Sequence, residues 1–381
     1  MRKTQVLAVL VAVCLLGGAG LAQSKRRARN ISQETGRYPA KRVAWKGPTT
    51  IKPLNMRLLA TLYGDVSNPD GRAVPDDVIQ NFDLSPDGST LVCAYFPSTL
   101  IVWDAQTGRR KKVIDPWESG FGDVAFSPDG TMFATGPGNL TAEAAARTVT
   151  LWDAKTYRAA GKIVSAGSVQ TVRFSPDGKS LAVVSDVETD PDTFKTVVEV
   201  WDVQSRKLAA VQPAKGRSID GSALFVMSRV AFSPDGSRLA TSTKQAVEVW
   251  DVKTGELAQT LRGHEKDVSG VWFSPDNRFL VSTAEQQTSA DTGPLGELVI
   301  WDARTGEKVK TLPGYTYAVF SPDGKLIASG NEDKEYSVID VSTGSVTSRF
   351  PRLGALRFSR NGRRAASYDD LVVIRTWQVL K

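Results

Sequence analysis

A four-residue turn, Ser-Pro-Asp-Gly, recurs at Ser85, Ser127, Ser175, Ser233 and Ser321, with degenerate copies at Ser274-Pro-Asp-Asn and Ser359-Arg-Asn-Gly. Each copy follows a short apolar run and precedes another. Ser and Pro suit the opening of a type I turn, and Gly tolerates the left-handed geometry that follows. A second element keeps step with the first. Trp-Asp closes an alternating apolar segment at Trp103, Trp152, Trp201, Trp250 and Trp301, and becomes Ile339-Asp340 and Trp377-Gln378 in the last two units. The best copy, Val230 to Val268, contains four strand-like runs separated by turn chemistry at 233–236 and 251–255. One such sheet cannot bury both of its faces alone. Seven of them at about 46 residues each predict an all-β, seven-bladed β-propeller with four-stranded antiparallel blades.

The Phe-Ser-Pro-Asp-Gly and Trp-Asp-x-x-Thr-Gly elements resemble the WD40-repeat family, of the bacterial, exported type, from Arg57 to Lys381. The resemblance implies a non-catalytic platform for protein–protein interaction. It also implies that His264, in the Gly-His position of the family, bonds to Ser282 or Thr283, to the region of Asp291, and to Trp301, in a structural network that includes Asp302. The other units lack Gly-His, as at Gly314-Tyr315, so six blades are expected to rely on apolar packing.

The chain ends after the third strand of the seventh unit, while Arg57–Gly64 (RLLATLYG) looks like a fourth strand, matching Glu256–Gly263 (ELAQTLRG). The expectation is that Arg57–Tyr63 pairs with the C-terminal strand around Val372–Val379, closing the ring and shielding an edge. Three segments follow from this reading: a signal peptide over 1–22, a basic linker or arm over 23–56, and the propeller over 57–381.

Residues 1–22 carry Arg2 and Lys3, an apolar core over Val6–Leu16, and a small-residue cleavage site at Gly20-Leu-Ala22. The core is shorter than the roughly 20 residues of a membrane span. Lys25, Arg26, Arg27 and Arg29 come next, and positive charge there also fits an uncleaved membrane anchor. Cleavage and export, to a periplasmic or secreted location, is the reading adopted.

Charge excludes one class of partner. Of 48 Lys and Arg and 41 Asp and Glu, 12 basic residues but only Glu34 among the acids lie in residues 1–57. The propeller is therefore mildly acidic, with 36 basic and 40 acidic residues, and the overall charge of +7 belongs to the arm. Nucleic acid is not an expected partner. The arm itself suits contact with an anionic surface.

In such blades the a–b and c–d turns share one face and barely vary. The b–c and d–a connections share the other face and hold all the length variation, at Gly64–Asp77, Gly136–Arg147, Asp186–Lys195, Pro213–Val226 and Glu285–Gly296. Variable loops on a rigid scaffold are where repeat folds place function. Candidate partner-binding anchors there are Trp117, Arg147, Phe194, Phe225, Tyr315 and Tyr317, of the residue types enriched at hot spots. Phe121 and Tyr317 also suit the starts of strands. The partner is expected to be a protein and the propeller itself a monomer.

Catalytic and metal signatures are weak. His264 is the sole histidine, and His264-Glu265 lacks the second histidine of a zinc-protease helix. Cys14 and Cys93 are the only cysteines, so a chain cleaved after Ala22 has no internal disulfide, and Cys93 reads as a buried, inert thiol. Asp186-x-Glu188-x-Asp190 continues with Pro191 where a calcium loop needs glycine. No cofactor, metal or catalytic residue is assigned. The alternative is an exported propeller enzyme of lactonase or hydrolase type, with a carboxylate or metal site at the central channel. Glu143, Asp186, Asp291 and Glu332 are its candidate carboxylates.

Overall fold

A computed structural model describes residues 50–54, 56–63, 79–95, 99–114, 121–137, 146–190, 193–213, 230–243, 245–285, 296–330, 335–351, 355–369 and 373–380. Alternation of apolar and polar residues between turns produces seven antiparallel sheets, six of them simple meanders a-b-c-d in chain order. The first strands, one per blade, are Ile79–Leu84, Asp123–Phe126, Ser168–Phe174, Val230–Phe232, Val268–Phe273, Val319–Phe320 and Leu356–Phe358. First strands of adjacent blades pack on one another, which puts them at the centre of the ring. Fourth strands such as Arg110–Ile114 and Lys308–Pro313 are largely exposed and form the rim. The core lies between blades, where second- and third-strand side chains such as Leu91, Ile101, Leu181 and Val299 are fully buried.

The last blade closes as the sequence predicts. Met56–Tyr63 pairs antiparallel with Val373–Val379, with Leu58 opposite Trp377 and Leu62 opposite Ile374. The structure adds a feature the sequence did not suggest. Thr50–Ile51 forms a fifth, outermost strand on Met56–Tyr63, followed by a 3-10 turn over Lys52–Leu54. Ile51, Leu54 and Met56 are buried against Tyr336, Phe350, Leu356 and Trp377. The packed unit thus reaches back at least to residue 50, into the segment read as arm. The signal is the apolar triplet Ile51, Leu54 and Met56, each separated from the next by polar residues or proline.

Every a–b turn is held by one local pattern. In the first blade Ser85 Oγ donates to Asp87 Oδ1 (2.5 Å) and accepts from Thr90 N (2.9 Å), while Ser89 N donates to Asp87 Oδ1 (3.0 Å). The serine–carboxylate bond recurs in the next five turns, and Asn361 replaces the carboxylate at Ser359. The c–d turns repeat a second pattern, in which Asp104, Asp153, Asp251 and Asp302 each accept backbone N–H groups two and three residues on.

The turns also mesh around the ring. Gly130, at φ 71°, presents its bare Cα to Pro86 of the preceding turn, with an added Cβ 3.2 Å from the ring. The two degenerate turns break this pattern differently. Asn277 holds a positive φ of 63° and donates to Asp235 of the previous turn (2.6 Å), which replaces the Gly–Pro contact with a hydrogen bond. Arg360, standing where the other turns have Pro, extends its Nη2 to the carbonyl of Pro176 (3.3 Å), from the seventh blade to the third.

The third blade departs from expectation. Asp186–Lys195, read as a loop, is the end of a long hairpin formed by Ser180–Asp190 and Thr193–Asp202. Its neighbouring strands stop at Asp186 and Val197, so the residues between continue as a two-stranded ribbon.

Candidate functional site

Counting back from the turn serine exposes the inner face of the ring. Two residues before it stand Asp83, Ala125, Arg173, Ala231, Trp272, Val319 and Arg357; four before it stand Asn81, Asp123, Thr171, Gly270, Tyr317 and Ala355. Period-2 alternation gives these two layers the same facing. Among the described residues the charged members of these layers come from blades seven, one, two and three, and the aromatic ones, Trp272 and Tyr317, from blades five and six; the fourth blade has Arg229 at the second position, outside the described residues.

The charged members form a continuous network. Asp123 is only 3% exposed at its side chain, and it accepts from Thr171 Oγ1 (2.6 Å), Val172 N (2.9 Å), Arg173 Nη1 (2.7 Å) and Asn81. Asn81 accepts from Arg357 Nη2 (2.8 Å). Asp83 accepts from Leu84 N (3.0 Å) and from Phe126 N of the next blade (2.8 Å). Burial pushes the Asp83 carboxyl above its usual range, against the pull of Arg357 and the Phe126 N–H. Among the aromatic members Trp272 meets Tyr317 edge-on with centroids 5.7 Å apart, and the Tyr317 hydroxyl donates to Leu356 O (2.7 Å). Burial raises that hydroxyl to about 12.

The single histidine sits in a chain of matched polar atoms. His264 Nδ1 lies 2.7 Å from Glu297 Oε1, His264 Nε2 lies 2.6 Å from Ser282 Oγ, and Trp301 Nε1 donates to the same Oγ (2.8 Å). Because Trp301 can only donate, Ser282 accepts from it and gives its own proton to Nε2, leaving the imidazole proton on Nδ1 facing Glu297. Burial lowers the His264 pKa, Glu297 opposes this and Lys308 adds to it. Glu297 thus supplies the carboxylate expected near Asp291, which lies outside the described residues. The Ser–His–Glu order matches that of an acyl-transfer triad, but Ser282 has no exposed surface and its oxygen already accepts from Trp301. The arrangement ties together the loop before the fifth blade and two of its strands. Asp302 is not part of the chain; it accepts from Arg304 N and Thr305 N in the following turn.

Half of this network survives without histidine. Trp152 donates to Thr135 (2.9 Å), Trp250 to Thr241 (3.1 Å) and Trp377 to Ser367 (2.9 Å). Each hydroxyl stands eight residues after its turn serine. In the first and third blades Cys93 and Val183 occupy that place, and Trp103 and Trp201 have no partner for their ring N–H among the described residues. The expectation that six blades rely on packing alone is corrected for three of them. Cys93 is fully buried and its thiol pKa is pushed well up by burial.

The candidate anchors fall in different places. Tyr315 is 8% exposed and its hydroxyl donates to Ser337 (3.0 Å), and Tyr317 belongs to the ring interior. Both point inward because their rings complete the contact between neighbouring blades, so neither is presented to a partner. Arg147 is exposed and its Nε donates to Ser165 O (3.0 Å). Phe194 lies on the ribbon opposite Glu188. Trp117 and Phe225 lie outside the described residues, as do Glu143 and Glu332. Asp186 is buried within the third blade and accepts from Thr196 (2.7 Å). Among the described residues no group of three or more His, Cys, Asp or Glu is placed to hold a metal ion, and no helix is long and apolar enough to cross a membrane.

Comparison with known proteins agrees with the architecture. The WD domain, G-beta repeat family matches residues 255–291 and 306–340. Protein HIR1 of Yarrowia lipolytica is 26% identical over 66% of this chain and 23% of its own length. WD repeat-containing protein 1 of Rattus norvegicus is 29% identical over 49% of this chain and 28% of its own. The guanine nucleotide-binding protein subunit beta of Oryza sativa subsp. japonica is 24% identical over 89% of this chain and 84% of its own. The chain spans under half the length of several of these curated relatives, HIR1 among them. The chain is thus a seven-bladed β-propeller that carries WD40 repeats over 255–291 and 306–340 and is similar to WD-repeat proteins.

Proposed function

We propose that this protein is a non-catalytic platform for protein partners and that it engages them through the face carrying the b–c and d–a connections. The observation behind this reading is the contrast between the two faces. On the a–b and c–d side the turns keep one length, and six of the seven a–b turns bind their own carboxylate internally, leaving little that differs from blade to blade. Hydrogen bonds from Ser127 and Ser175 hold the Asp129 and Asp177 carboxyls below the usual range, so these groups are committed to the turns. Chemical variety is left to the opposite face, where the third-blade ribbon extends beyond its sheet. Kinship with WD-repeat proteins points the same way.

The test uses two baits in the organism of origin: the intact chain, and a variant with residues 138–145, 187–194 and 286–295 replaced by short turns. A protein retained by the first and lost from the second, with unchanged thermal unfolding, supports the loop face. Equal retention by both overturns it. The leader-like residues 1–22 support an exported location, with the basic residues after them either opening the mature arm or flanking an anchor. N-terminal sequencing of the cell-derived protein decides between these: a start at Gln23 means cleavage.

A further inference from the structure

The inner face of the ring holds one closed ion pair and one open one. Arg173 and Asp123 meet at 2.7 Å, whereas Arg357 Nη1 stands 3.8 Å from Asp83 Oδ1, beyond hydrogen-bond length. A quarter of each side chain of the open pair is accessible to solvent, 25% for both. Yet burial is the strongest influence on the Asp83 carboxyl. Asp83 and Arg357 both belong to the inward-facing layer, so the solvent they meet lies at the centre of the ring.

That space is chemically lopsided. Asp83 accepts from two backbone N–H groups, while Arg357, with five N–H donors, makes one hydrogen bond among the described residues, to Asn81. The guanidinium is also fixed in place, lying over the Phe82 ring at 5.4 Å. Beside it, on the adjoining sixth blade, is Tyr317, whose hydroxyl bonds the carbonyl of neighbouring Leu356, and Trp272 of the fifth blade stands edge-on against that ring; the small Ala231 holds the equivalent position of the fourth blade. At the turn end of the ring Arg360 reaches across from the seventh blade to the third.

We propose that the centre of the ring binds a small organic carboxylate with a flat apolar body. Its carboxylate takes the Arg357 fork and its body lies against Trp272 and Tyr317. A planar monoanion matches a guanidinium in two parallel hydrogen bonds, and the neighbouring Asp83 disfavours a dianion such as phosphate. This ligand site is separate from the protein-binding face and goes beyond the platform reading.

The experiment uses the full chain with benzoate as probe, and benzyl alcohol and inorganic phosphate as comparisons, read by calorimetry and ligand-observed NMR. The expected result is saturable benzoate binding with Kd below about 1 mM and roughly tenfold weaker binding of either comparison. Arg357→Gln is expected to weaken benzoate roughly tenfold or more, and Arg357→Lys less, because it keeps the charge but not the fork. Ala231→Trp fills the space and abolishes binding with Arg357 intact, so it decides the matter should Arg357→Gln fail to fold by circular dichroism. Absence of saturable benzoate binding, phosphate binding as tight as benzoate, or benzoate binding undiminished by the folded variants overturns the proposal. The loops are untouched throughout, so failure here leaves the platform reading standing, and the reverse holds too.

Discussion

Replacing Ser282 with alanine tests whether the histidine relay stabilises the fifth blade as the geometry indicates. Ser282 Oγ is the meeting point of two buried groups, the Trp301 ring N–H at 2.8 Å and His264 Nε2 at 2.6 Å. Its removal leaves both without a partner in a site that has no exposed surface at Ser282 and 1% at Trp301. An unsatisfied buried donor or acceptor costs about 1–3 kcal/mol, so Ser282→Ala is expected to destabilise by about 2–5 kcal/mol. The internal control is Ser367→Ala in the seventh blade, where the hydroxyl serves Trp377 alone (2.9 Å), with an expected cost of about 1–3 kcal/mol. Urea unfolding of both variants and wild type supplies the comparison. A Ser282→Ala cost within about 0.5 kcal/mol of zero, or one no larger than that of Ser367→Ala, refutes the relay.

His264 has its pKa lowered in the folded chain, chiefly by burial, so the unfolded state binds the extra proton more readily. Its stabilising contribution is complete above the unfolded value of 6.5 and is lost as pH falls below it; urea midpoints from pH 7.5 to 5 should decline, and the decline should flatten in His264→Gln. The turn aspartates act lower on the scale. Asp235 sits at about 2, where burial is outweighed by hydrogen bonds from Ser233 and Ser237 and by Arg238, and Asp129, Asp177 and Asp323 are lowered by their serine bonds. Stability is therefore expected to fall again as pH drops below the unfolded 3.8, and a flat profile from pH 4 to 2.5 contradicts this. Deleting residues 50–63 removes the buried Ile51, Leu54, Met56 and Leu62, worth about 1.5–3 kcal/mol each. The sum rivals the whole stability of a domain, so that truncation should fail to unfold cooperatively by circular dichroism, while deleting 23–49 leaves the transition in place. Gly362→Ala, at φ 66° with Pro322 2.6 Å from the new Cβ, should cost more than Gly255→Ala, at φ 72° with nothing within 4 Å; the latter is expected to cost about 1–2 kcal/mol in thermal unfolding.

The architecture was legible in the chain because its determinants are local. A Ser-Pro-Asp-Gly turn satisfies its own hydrogen bonds within five residues, and Trp-Asp does the same one hairpin later, so repetition alone announces blades. Closure was legible too, since Arg57–Tyr63 copies a fourth strand. The fifth strand at Thr50–Ile51 was hidden because two residues carry no period, and the third-blade ribbon because its polar sequence matches a loop as well as a hairpin.

The sequence by itself determined the number of blades and their internal order. Only the tertiary structure decided which side chains share the centre of the ring. Asn81, Asp123, Arg173 and Arg357 are separated by 42 to 276 residues along the pairs that bond. No local pattern relates them, because their contact depends on the angle at which neighbouring blades meet and on the last blade returning to the first. Glu297 rather than Asp291 at His264, and Tyr315 turned inward rather than outward, were settled by the same packing.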